Sequence, residues 1–267
     1  MLRSMYSGIS GMRNMQTKLD TIGNNIANVN TFGFKKGRTT FKDMVSQQIA
    51  GASAPTAGGL GGTNPRQVGL GSQLGSIDTI HTQGSLQNTN RELDLGISGD
   101  GFFRVSDGGA PATNYYTRAG NFYLDQTGAI VNSSGYYLLN DNGGQIQIPP
   151  TAQSFSIGQS GVVNYVDDEG ALQQAGTISI AYFANPEGLQ KEGENMYQVT
   201  ANSGIPGVTT PGQDGTGTLV AGTLEMSNVD LSEEFTEMIV SQRAFQANTR
   251  IITTSDEILQ ELVNLKR

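Results

Sequence analysis

The chain has 267 residues, a formal net charge of −8, 36 glycines, and neither cysteine nor tryptophan. The acidic balance argues against nucleic acid or an anionic membrane surface as a partner, since both need clustered Lys and Arg. The missing thiols exclude disulfides and thiolate metal sites, and the low charged fraction of 15% points to turns and short strands coated with Ser, Thr, Asn and Gln.

Residues 2–29 repeat apolar side chains at three- and four-residue steps: Leu2, Met5, Ile9, Met12, Leu19, Ile22, Ile26 and Val29. This predicts an amphipathic helix. Gly8, Gly11 and Gly23 each weaken it by about 1 kcal/mol relative to Ala, so the helix needs a packing partner. Arg3 precedes no continuous apolar h-region, so no secretory signal is expected. No run of about 18 apolar residues occurs, so no membrane span is expected either. The stretch "NNIANVNTFGFKK" (24–36) stops the helix. Asn24, Asn25, Asn28 and Asn30 suit caps and left-handed backbone. Phe32 and Phe34 then follow around Gly33, and Lys35 and Lys36 follow them.

The segment 50–75 is rich in glycine and poor in apolar residues and reads as a linker or long arm. From about 76 to 226 the period becomes two. "QIQIPP" (145–150), "SFSIG" (154–158), "TISIAYF" (177–183) and "MYQVT" (196–200) predict strands. "DQTG" (125–128), "NDNGG" (140–144), "DDEG" (167–170) and "NPEG" (185–188) predict turns. The helical period returns over 231–265. Leu231, Phe235, Met238, Phe245, Ile252, Leu259 and Val263 form one row, and Ile251, Ile258, Leu262 and Leu265 form a second. Asp230 or Ser232 can cap this helix, Glu233, Glu234 and Glu237 suit its positive end, and Lys266 and Arg267 suit the other. At 1.5 Å per residue it would span roughly 50 Å.

The expected class is α+β: long N- and C-terminal helices paired as a coiled-coil-like stalk, with an inserted all-β domain and Gly-rich linkers. The expected divisions are 1–45 (N-terminal helix and turn), 46–75 (linker or arm), 76–226 (β domain) and 227–267 (C-terminal helix).

Catalytic constellations are not evident. His81 is the only histidine, set among strand-like residues, and reads as a surface or strand-edge side chain. Asp94, Asp100 and Asp107 lack the spacing of a calcium loop, and Asp100-Gly101 reads as a turn before "FFRV". The glycines near 58–71 lack the G-K-[ST] of a phosphate loop. The pairs Asp167/Asp168 and Glu233/Glu234 are explained by a turn and a helix start. No cofactor, metal or enzymatic activity is expected. A β-rich adhesin stacking glycans on Tyr115, Tyr116, Tyr136 and Tyr137 is a rival, but it leaves both helical ends unexplained. A wall-cutting hydrolase lacks an acid pair.

"LDTIGNNIANVNTFGFKKGRTTF" (19–41) and "EMSNVDLSEEFTEMIVSQRAFQANTRIITTSDEILQELVNL" (225–265) resemble the terminal signatures of the bacterial flagellar rod and hook proteins. "LDLGISGDGFFRV" and "YTRAGNFYLDQTGAIVNSSGYYLL" resemble that family's middle region. The resemblance implies a homo-oligomeric helical tube lined by the terminal helices, with the β domain at larger radius. Its implied partners are neighbouring axial proteins (rod, hook cap, hook–filament junction) and the flagellar type III export apparatus. Subunit contacts are then expected from Leu2, Met5, Ile9, Met12, Leu19, Ile22, Ile26, Phe32, Phe34, Phe235, Met238, Phe245, Ile252, Leu259 and Leu262. Lys35 and Lys36 would meet Glu233, Glu234 and Glu237. "FKDMV" resembles the family's export-gate contact through Phe41 and Val45, with core packing of both after folding as the ordinary reading. Length and C-terminal sequence favour the compact hook protein, a flexible joint, with the distal rod, a stiff shaft, as the alternative. Low-charge outer surfaces would permit sliding between neighbours, and the Gly-rich arm would tune stiffness.

Overall fold

The computed structural model describes residues 2–55, 61–109, 113–213 and 215–265, and of Leu2 only the backbone. Within these the chain is α+β and divides into two compact units. One unit gathers residues up to Ile26, Gly37–Asp78 and Asp230 onward. The other gathers Ala27–Lys36 and Thr79–Val229.

The first unit is built on two helices, α1 (Leu2–Ala27) and α2 (Leu231–Asn264). Asp230 caps α2 by accepting from the amides of Ser232 (2.8 Å) and Glu233 (3.4 Å). That satisfies two of the four N–H groups a helix start leaves without a partner. Beside the helices, the strand Gly37–Asp43 pairs with Ser72–Thr79, and Gln47–Ala50 pairs with Arg66–Val68. The stretch expected to be a linker therefore carries strands of its own, continued by a Ser53–Thr63 bridge. Its residues 56–60 lie outside the described residues, as do Lys266 and Arg267. The strand next to Leu70 is also tied to α1: the Asn14 amide donates to Ser72 Oγ at 2.8 Å.

The second unit is built of β-strands, with a short 3-10 helix at Pro186–Gly188. Its largest sheet centres on Phe102–Ser106, which pairs with Asn114–Thr117 on one edge. On the other edge its first half meets Ile180–Tyr182 and its second half Tyr137–Leu138. A three-stranded sheet (Ser154–Ile157, Val162–Val166, Leu172–Thr177) lies in the same unit. Alternation along Phe102–Ser106 sends Phe103 and Val105 to the main core with Leu95, Phe122, Leu138, Ile146 and Leu219. It sends Phe102 to a smaller cluster with Tyr116, Phe183 and Tyr197.

Two expectations fail here for physical reasons. "QIQIPP" makes isolated bridges at Gln145 and Gln147 rather than a strand, although Ile146 and Ile148 are buried. Pro149 and Pro150 cannot donate to a ladder, so pairing stops as soon as those side chains reach the core. The turn 27–36 belongs to the β unit rather than to the helical one. Gly33 explains why: its φ is +70°, and a Cβ there would lie 2.6 Å from the Ala119 nitrogen, so only glycine lets the two backbones approach.

Candidate assembly surfaces and the buried charge cluster

The two helices run antiparallel. Ser4 faces Ser255 (3.5 Å between hydroxyls), and Asn25 reaches Glu234 at 3.2 Å. Between these ends a Cβ on Gly8 would touch Ile252, and one on Gly11 would lie 2.7 Å from the Asn248 amide. The glycines that looked like helix defects are thus the points of closest approach. Lys18 pairs with Glu237, and the Thr249 hydroxyl contacts Met12 Sδ.

On α2 the contact face alternates two rows at seven-residue spacing. Met238, Phe245, Ile252 and Leu259 are half-buried. The companion row, Glu234, Ser241, Asn248 and Ser255, is small or polar, and three of its four members are buried. Sequence reading found the apolar row and missed the polar one; its signal was the same period of seven in residues that carry no hydropathy. A seam of this kind covers little apolar surface. Leu231, Phe235, Ile239, Val240, Ile251, Ile258, Leu262 and Val263 all remain 40–66% exposed. Row members expected to meet neighbours therefore separate: Phe235 and Leu262 are open, while Met238, Phe245, Ile252 and Leu259 are half-covered by their own chain. On α1, Ile22 is buried and Met5, Ile9, Met12, Leu19 and Ile26 are half-buried. The Leu2 side chain lies outside the described residues.

Phe34 is buried in the β unit, with the Lys191 ammonium 5.1 Å from its ring centre. Its ring is covered within its own chain, which leaves little of it for the neighbour contact expected of it. Phe32 is half-buried, and its carbonyl accepts from the Asn195 amide at 3.0 Å. Lys35, expected to pair with Glu233, Glu234 and Glu237, has its ion-pair partner inside its own unit. It is fully buried, 2.6 Å from Glu225 Oε1, and also donates to the Thr82 carbonyl at 2.8 Å. Arg118 completes the cluster, with Nη1 3.3 Å from Glu225 Oε2 and 3.0 Å from the Gly99 carbonyl. The Gly84 amide donates to Glu225 Oε1 at 2.9 Å. Burial holds the Lys35 ammonium below its ordinary pKa, against the opposing pull of Glu225. This cluster ties "NTFGFKK", "YTRAG" and "LEMSN" together, three stretches far apart in the chain. Sequence reading missed it, because a lone charge carries no hint of its partner.

His81, expected at a surface or strand edge, is half-buried just past the end of the strand Ser72–Thr79. It sits edge-on to Phe102 and Tyr197, each 5.5 Å away, and its Nδ1 has no hydrogen-bond partner among the described residues. Burial and then the charges of Lys35, Arg118 and Lys191 lower its pKa to about 4. The tyrosines proposed as a platform do not share one surface: Tyr116 is buried against Phe183 in the smaller cluster, while Tyr115 and Tyr136 pack edge-on against the main core. Val45 is 84% exposed, so core packing of Phe41 and Val45 does not hold for Val45; Phe41 is half-buried in its strand. Among the described residues no group of His, Asp and Glu is arranged to hold a metal ion, and no helix is long and apolar enough to cross a membrane.

Three family models match the chain: "Flagella basal body rod protein" over residues 5–35, "Flagellar hook protein FlgE/F/G D1 domain" over 96–165, and "Flagellar basal body rod FlgEFG protein C-terminal" over 220–265. The chain is 64% identical to the flagellar basal-body rod protein FlgG of Bacillus subtilis (strain 168) over 268 positions covering all of both chains. It is 40% identical to the FlgG of Buchnera aphidicola subsp. Acyrthosiphon pisum over 99% of this chain and all of that one. It is 33% identical to the flagellar hook protein FlgE of Borreliella burgdorferi over 445 positions covering all of both chains, so that hook protein carries long insertions relative to this one.

Proposed function

We propose, from the premise that this chain belongs to the bacterial flagellar rod and hook axial protein family, that it is a subunit of the rod, the stiff shaft that carries motor torque outward. The observation that carries the choice is full-length identity of 64% to a rod protein, against 33% to a hook protein with long insertions. The preference for the hook drawn from length and C-terminal sequence gives way to that comparison.

The remaining features of this reading follow from the helical unit. Its helices leave apolar rows exposed, and contiguous surface of that kind marks an interaction site. Copies of the chain would cover those rows in a tube, with the paired helices innermost as a coiled-coil-like stalk. Torque would pass through interlocked side chains. Subunits would reach the tube by export through the flagellar type III apparatus, where Phe41 and Val45 act before folding.

Basal bodies purified from a strain lacking this chain test the assignment by electron microscopy. A shortened shaft with no distal segment is expected. A complete straight shaft that lacks only the curved connector would assign the chain to the hook instead.

A further inference from the structure

We propose that a groove on the helical unit is the seat for the last two turns of α2 from a second copy of this chain. The inference rests on the axial-subunit reading and adds which surfaces meet.

The groove has a volume of about 520 Å³. It lies between α1 and the segment around Met44 and Leu70–Leu74, with an apolar floor of Tyr6, Ile9 and Leu74 and with Arg3 and Arg13 among its walls. Tyr6 is 69% exposed, so nothing among the described residues fills it. The chain's own α2 cannot. At 3.6 residues per turn, Ser4, Gly8 and Gly11 share the side of α1 that faces α2, whereas Tyr6, Ser10 and Arg13 lie on the opposite side.

The α2 end has the complementary problem. With Ser4 opposite Ser255, and with α1 of 26 residues against α2 of 34, the turns from Ile258 onward run past the first turn of α1. Ile258, Leu262 and Leu265 form one stripe there, and all are 48–82% exposed. Glu257 and Glu261 flank that stripe one residue earlier in each turn, and neither has an ion pair among the described residues. Arg3 and Arg13 likewise have none. An apolar stripe edged with carboxylates therefore meets an apolar groove edged with guanidinium groups, and Arg–carboxylate pairs fix orientation as well as attraction. Because groove and tail are different surfaces of one chain, the contact is heterologous and propagates, as a tube requires.

The chain has no cysteine, so introduced thiols are unique. Rods isolated from cells whose only copy carries Tyr6→Cys and Leu262→Cys are treated with a short bismaleimide. A ladder of covalent multimers is expected, about ten-fold above the yield from Tyr6→Cys with Tyr123→Cys, because docking raises the effective concentration. Intact rods with no ladder above that control overturn this inference and leave the axial-subunit reading standing. A link confined to monomer mass, or to a different protein, also overturns it. Absence of the chain from isolated rods overturns the underlying reading and this inference together. Should the thiol variant fail to assemble, charge reversal decides. Arg13→Glu and Glu261→Arg each reduce motility alone, and co-expressed they restore it; no restoration refutes the contact.

Discussion

Removing the Glu225 carboxylate should be the most damaging single change in the β unit. Its side chain is fully buried and accepts from Lys35 Nζ at 2.6 Å, Gly84 N at 2.9 Å and Arg118 Nη1 at 3.3 Å. Glu225→Ala leaves two buried cations with no counter-charge and one amide with no acceptor. Breaking a buried pair in this way costs about 3–5 kcal/mol. For a unit of this size the loss lowers the unfolding midpoint by about 10 °C. Arg118→Ala should cost less, since Lys35 stays paired with Glu225. Replacing all three with Met or Leu should recover only part of the loss: no unpaired charge remains, but the Gly84 amide and the Gly99 carbonyl lose these partners. Tyrosine fluorescence during guanidinium unfolding is a suitable assay: the chain has no tryptophan, and every tyrosine except Tyr6 lies in the β unit. A Glu225→Ala loss below about 1 kcal/mol would refute the argument, because it would mean that Lys35 and Arg118 find water without cost.

His81 gives a pH prediction whose sign is fixed by its surroundings. The folded state holds its pKa at about 4 against 6.5 for the free group, so the unfolded chain binds the extra proton first. Stability therefore falls as pH drops from 6.5 towards 4, by about 3 kcal/mol at most. His81→Phe should flatten that part of the curve relative to the parent chain, with carboxylate titration common to both; parallel curves would count against it. Gly23→Ala places its methyl in open space and should stabilise the helical unit by about 0.5–1 kcal/mol. Gly11→Ala should lose that gain, since its methyl falls 2.7 Å from the Asn248 amide; paired denaturation midpoints read the difference. Gly33→Ala combines a φ of +70° with a backbone overlap at Ala119 and should cost about 3 kcal/mol, measured by the same fluorescence assay. A neutral effect there would mean that the 27–36 turn is not held against the β unit.

The sequence by itself determined whatever a local pattern can specify. Apolar period fixed both helices to within two residues of their ends, and Asp230 announced the cap that α2 uses. Gly-containing turns such as 125–128 and 167–170 appear where expected, with Gly128 and Gly170 at positive φ. Tertiary structure alone decided which faces those elements spend on each other. Gly8 and Gly11 weaken an isolated helix yet mark where α2 comes closest, because the value of a missing Cβ depends on what stands opposite. Lys35 and Glu225 lie 190 residues apart, and no local period links them. Hydropathy periods report how a segment meets solvent, whereas charge partners and close backbone approach are properties of two segments at once. They come into being only when the chain has brought both together.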